Sequence, residues 1–193
     1  MRNILCAAFL ALTSCASAPS ATSPQDQFFA RLSALCGKAY EGHIVSPAVP
    51  ADANFAGKRL IMHVRNCSEN EIRMPFQVGE DRSRTWVVTR TGSGLRLKHD
   101  HRHEDGSEDV LTQYGGETVT AGTAQRQEFP VDQFSKDLFN RQNAAVSTTN
   151  VWAMEVDQAR TFAYELRRPG RFFRVDFDLT QPVTAPPPAW GTR

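Results

Sequence analysis

The segment from Trp152 to Leu179 constrains the fold more than any other part of the chain. Trp152, Met154 and Val156 alternate with polar or small residues, and Phe162, Tyr164 and Leu166 do the same. After Arg168-Pro169-Gly170-Arg171 the pattern returns as Phe173, Val175, Phe177 and Leu179. A period of two is that of a strand with one buried face, because successive side chains leave opposite sides of the pleat. A turn centred on Pro169-Gly170 sets Leu166 opposite Phe173, Tyr164 opposite Val175 and Phe162 opposite Phe177. The same register sets Glu165 against Arg174 on the outer face. A slip by one residue would carry every ring to the wrong side, so the hairpin specifies its own pairing.

The same period runs upstream. Leu60, Met62 and Val64 alternate, as do Ile72, Met74, Phe76 and Val78. Pro75 has no N–H to donate, which predicts an edge or a bulge in that strand. Arg84 to Thr91, Leu95 to Asp105 and Val110 to Tyr114 read as further strands, and Thr118 to Phe129 is β-rich without a clear face. Two stretches break the rule. Ser23-Pro24 suits a helix start, and Phe28, Phe29, Leu32, Leu35, Cys36 and Ala39 then recur at helical spacing, with Gly37 as the stop. Asp132 is placed to cap a short helix that buries Val131, Phe134 and Leu138.

About nine short strands at regular spacing predict a mainly β chain. An antiparallel meander of this length loses its edges most simply by closing on itself. The expected fold is a lipocalin-like β-barrel with an N-terminal helix and one short helix; a β-sandwich is the alternative. Gly37-Lys-Ala-Tyr-Glu-Gly42 resembles the opening of lipocalin-like barrels, without the tryptophan usual there. The expected organisation is a signal peptide over 1–14, a flexible tether over 15–23, one barrel domain over 24–180 and a disordered Pro-rich tail over 181–193.

The N-terminus carries the address. Arg2 precedes the apolar run Ile4 to Leu12, which is too short to span a bilayer, a task needing about 20 residues. Leu12-Thr13-Ser14-Cys15 resembles a bacterial lipobox, which implies lipidation of Cys15 and a membrane attachment through that lipid. Ala16 rather than Asp in the next position resembles enterobacterial lipoproteins of the outer membrane, and that resemblance implies the same address, with the domain facing the periplasm. Cleavage after Ala18 and simple secretion is the alternative. Cys36 and Cys67 then remain as an even pair in an oxidising compartment, which predicts a disulfide. In the chain-entropy picture such a closed loop contributes about 3–4 kcal/mol.

The most unusual stretch is Leu95-Arg-Leu-Lys-His99-Asp-His101-Arg-His103-Glu-Asp105. Strand periodicity puts His99, His101 and His103 on the face of Leu95 and Leu97, hence inward. A turn at Gly106-Ser107 sets His103 opposite Val110, His101 opposite Thr112 and His99 opposite Tyr114. Three uses fit this column. His99 and His101 share a side, as a divalent metal site needs, although His99 and His103 stand about 13 Å apart along a strand and cannot share an ion. A site would need a further ligand such as Tyr114, His63 or a carboxylate from elsewhere in the chain. Alternatively His99, His101, His103, Thr112 and Tyr114 form the polar wall of a ligand cavity, or the histidines are hydrogen-bonded parts of the core.

Leu97 to Gly116 and Tyr164 to Arg171 resemble stretches of a group of bacterial exported proteins; that resemblance implies export and no activity. Asp81-Arg-Ser-Arg-Thr-Trp86 resembles one copy of the turn motif that sialidases repeat, without its glycine. No nucleophile elbow, phosphate loop, zinc-protease helix or Cys-x-x-Cys pair occurs. Cleavage before Cys15 removes only Arg2 and leaves 21 charges of each sign, so nothing favours nucleic acid. Arg59, Arg65, Arg73, Arg82, Arg84 and Arg90 read as solvated outer faces. Three functions remain open. They are a barrel binding a small apolar or amphipathic ligand, an envelope enzyme using metal at His99 and His101, and a lipoprotein that docks to a protein partner of unknown identity.

Overall fold

Ser23 opens the first helix as an N-cap: its hydroxyl accepts the Asp26 amide at 3.0 Å, and Pro24 begins α1 (Pro24–Ser33). The computed structural model describes residues 22–158 and 160–192; the signal peptide, Cys15 and most of the tether lie outside the described residues. Gly37, with φ +81°, ends the turn after α1, in the left-handed region that only glycine enters freely. Beside it the Cys36–Cys67 disulfide, with Cα atoms 6.3 Å apart, ties this turn to the strand that carries Cys67.

The strands are β1 (Ala39–Ile44), β2 (Leu60–His63), β3 (Asn66–Cys67), β4 (Glu71–Val78), β5 (Asp81–Thr91), β6 (Gly94–His101), β7 (Tyr114–Glu117) and β8 (Arg126–Pro130). After α2 (Gln133–Arg141) come β9 (Val151–Asp157), β10 (Thr161–Arg168) and β11 (Arg171–Val183). All pair antiparallel in the order β7-β6-β5-β4-β2-β1-β11-β10-β9-β8, with β3 on β4 beyond β2. Apart from β2 and β3, which both pair with β4, consecutive strands lie side by side around the sheet, and the last strand lies beside the first. The β10–β11 register is the predicted one throughout, including Glu165 against Arg174.

The ends of the sheet meet through a single bridge between Gly116 and Val131, backed by the Asp132 amide donating to the Gly115 carbonyl at 3.0 Å. This makes a lipocalin-like barrel, nearly closed. The approach is possible because Gly116 has no side chain: a Cβ there would sit 1.8 Å from the Pro130 carbonyl oxygen, across the seam, while one on Gly115 would sit 1.9 Å from that of Leu97 in β6, on the other side of β7. Asp132 caps α2 as predicted, and Ser135 exchanges hydrogen bonds with the Gly115 backbone, so the helix start is fastened to the seam.

Pro75 meets the bulge alternative: it lies in an interior strand, at the break where the β4 partner changes from β2 to β3 with a one-residue shift in register. The break supplies the tolerance that an edge would have given. Two other expectations need correction. Leu138 is buried as expected, but Phe134 is 52 % exposed and Ser135 and Phe139 are buried in its place; Phe134 covers the Lys98 ammonium, 4.9 Å from its ring centre. The segment after 180 is not a disordered tail. Strand β11 continues to Val183, with Pro182 opposite Tyr40, and Ala189 is buried while the Trp190 amide bonds the Arg82 carbonyl. Proline's fixed φ suits an extended strand wherever no N–H is required.

Candidate functional site

Alternation along β6 grades the barrel interior from one end to the other. Leu95 and Leu97 are fully buried near α1, His99 is buried above them, and His101 is half-buried. The α1 end is closed: Asp26 pairs with Arg90, whose guanidinium lies 4.2 Å from the Phe29 ring centre. At the opposite end the interior opens into a cavity of about 330 Å³, walled by both faces of the barrel. That volume lies within the range of small-molecule sites.

The predicted histidine column holds for two members. His99 pairs with Tyr114 as expected, and both line the cavity together with His101. His103 does not. The strand ends at His101, the His103 amide bonds the Ser107 carbonyl, and the side chain is exposed. The hairpin pairing gives way because Gln113 adopts φ +58°, which bends residues 109–113 out of the ladder and turns Asp109 and Leu111 onto the cavity. Thr112 is also displaced from the lining; its hydroxyl accepts the His101 amide at 2.8 Å.

His99 is held on both sides. Its Nδ1 lies 3.1 Å from the Tyr114 carbonyl oxygen and its Nε2 2.8 Å from the Tyr164 hydroxyl. A carbonyl can only accept, so Nδ1 carries the proton and Nε2 accepts from Tyr164. Burial first, and His101 second, pull the His99 pKa down to about 3. His101 is brought to about 4, by burial and then by Arg84. Burial raises the Tyr114 phenol to about 12 and moves Tyr164 further up in the same direction. These groups are neutral at physiological pH.

The neutral set is the polar part of an aromatic wall. Tyr114 stacks on His99 with centroids 4.6 Å apart, Trp86 stacks on Tyr164 at 4.3 Å, and Phe76 stacks on Trp86 at 4.6 Å. Trp152 completes this wall beside His99. At the mouth stand Arg84, Arg168 and Arg171, with Asp109 as the one carboxylate among the described lining residues. Arg84 pairs with Asp81 and Arg171 with the buried Asp52. Among the described residues Arg168 reaches neutral acceptors, Ser147 Oγ at 3.3 Å and Asn150 Oδ1 at 3.2 Å.

The arginines correct the reading of basic residues as outer faces. Arg84 and Arg90 share the parity of Trp86 and Val88, and all four point inward. Arg168 continues the parity of Tyr164 and Leu166, and Arg171 that of Phe173. The signal was present: the inward face of both hairpins continues past its last hydrophobic residue into an arginine.

The residues needed for a metal do not converge. Both His99 nitrogens are engaged, His63 is absent from the lining, and among the described residues no three His, Cys, Asp or Glu side chains gather as a metal would need. Comparison with protein-family models, curated proteins and solved structures found no match.

Proposed function

We propose that this chain is an exported, lipid-anchored envelope protein whose barrel binds a small amphipathic molecule. One observation carries the binding: the cavity of about 330 Å³ has stacked aromatic rings along its wall and polar side chains at its mouth. Aromatic walls with a few oriented polar groups are the usual composition of a ligand site. The rings are fixed by one another and by the His99–Tyr164 hydrogen bond, so a ligand enters a preformed space rather than ordering one. The lipobox at Cys15 and the Cys36–Cys67 disulfide support an oxidising compartment outside the cytoplasm.

Native mass spectrometry of protein isolated from its own envelope tests the binding; the expected result is a released mass of small-molecule size. Apo protein alone, together with no thermal shift across a library of small amphiphiles, would end this reading. Labelling with a radioactive fatty acid tests the anchor: label enters the wild type and is absent from Cys15→Ala.

A further inference from the structure

We propose that the ligand of this cavity carries an anionic oxygen group, a carboxylate, sulfonate or phosphate, which docks on Arg168 and Arg171 while its flat apolar body lies along the aromatic wall. The inference rests on the binding reading above and specifies its chemistry.

The charge that lines the cavity is unequal. Among the described residues Arg84, Arg168 and Arg171 share the lining with one carboxylate, Asp109, which already accepts the Leu111 amide at 2.8 Å. Arg84 and Arg171 are paired with Asp81 and Asp52, which lie outside the lining and orient them. The Arg171–Asp52 pair leaves a buried Arg171 Nε–H and a buried Asp52 Oδ2 each without a hydrogen-bond partner, and among the described residues Arg168 has no hydrogen-bonded carboxylate. These two arginines are direct register partners flanking the Pro169-Gly170 turn. Two guanidinium groups on adjacent strands repel each other in a half-buried place; Asp52 offsets part of this, and a shared anion bound directly by Arg168 would relieve the rest. Planar guanidinium forks match two-oxygen anions in geometry as well as charge. Nothing on the aromatic wall competes for the anion, since His99, His101, Tyr114 and Tyr164 are neutral.

Two fluorescent probes that share an anilinonaphthalene body test this. 8-Anilinonaphthalene-1-sulfonate carries the anion, and N-phenyl-1-naphthylamine lacks it. Titrated into the purified protein, the sulfonate should bind at least about tenfold more tightly, the effect of one charge-assisted contact. Arg168→Gln should weaken the sulfonate by about tenfold and leave the neutral probe within about twofold, which also reports that the cavity is intact. Ala144→Trp, which fills the mouth, should abolish both. Equal affinities in the wild type, or equal losses of both probes in Arg168→Gln, would overturn the anion inference and leave the binding cavity standing. If neither probe binds, or if Ala144→Trp changes nothing, the cavity reading falls and the inference with it.

Discussion

The Tyr164 hydroxyl and His99 Nε2 are 2.8 Å apart, and this contact joins the two sides of the barrel. His99 belongs to β6 and Tyr164 to β10, which lie on opposite arcs of the strand order. With Nδ1 donating to the Tyr114 carbonyl, the imidazole has one tautomer and one orientation, and it sets where the cavity floor lies.

Tyr164→Phe removes that donor and leaves a buried acceptor unpaired. A stability loss of about 1–3 kcal/mol is expected, read from urea denaturation. A loss near zero would show that the ring finds another donor.

Acid stability follows from the same histidines. Their folded pKa values, about 3 for His99 and about 4 for His101, lie below the ordinary imidazole value of 6.5. As pH falls through 6.5 the unfolded chain takes up protons that the folded chain refuses, so stability is lost, by up to about 1.4 kcal/mol per pH unit for each histidine. Arg84 lowers His101 further, while Asp109, Asp81 and Asp100 oppose this to a smaller extent. Carboxylates held down by arginine, such as Glu128 at about 2, act at lower pH, so melts between about pH 6.5 and 5 isolate the imidazoles. His101→Gln should flatten that limb; an unchanged limb would mean His101 contributes nothing.

The seam of the barrel depends on the missing side chain of Gly116. Gly116→Ala places a methyl 1.8 Å from the Pro130 carbonyl oxygen, which backbone must move to relieve. A loss of at least about 3 kcal/mol is expected, with faster amide hydrogen exchange confined first to β7 and β8. Exchange spreading instead from α1 would place the weak point elsewhere.

Replacing Cys36 and Cys67 together by serine should cost about 3–4 kcal/mol. Reductant should lower the melting temperature of the wild type and leave that of the double variant unchanged. The residue faces are already set by β-pairing, so the far-ultraviolet spectrum should hardly change.

The β10–β11 hairpin was legible because both of its faces carry information. Aromatic rings on one side and Glu165 with Arg174 on the other admit a single register, and a two-residue turn closes it. Leu95 to His101 was legible for the same reason. His103 and Thr112 were not, because the ladder stops where Gln113 turns left-handed, and periodicity carries no mark of where pairing ends. Arg84, Arg168 and Arg171 sat in plain inward parity, yet charge alone suggests solvent.

By itself, then, the sequence determined which residues share a face, where helices start at Ser23 and Asp132, and that Cys36 finds Cys67. The first two follow from the covalent alternation of a strand and from local caps, which act within a few residues; the third follows from Cys36 and Cys67 being the pair that remains once Cys6 and Cys15 are assigned to the N-terminal signal. Only the tertiary structure decided that the Gly115-Gly116 pair closes the ring against Pro130 and Val131, that Ala189 and Trp190 pack back on the barrel, and that three arginines from β5, β10 and β11 meet at one mouth. Such meetings depend on strands far apart in the chain arriving side by side, and that is set by the free energy of the whole closed sheet rather than by any local preference.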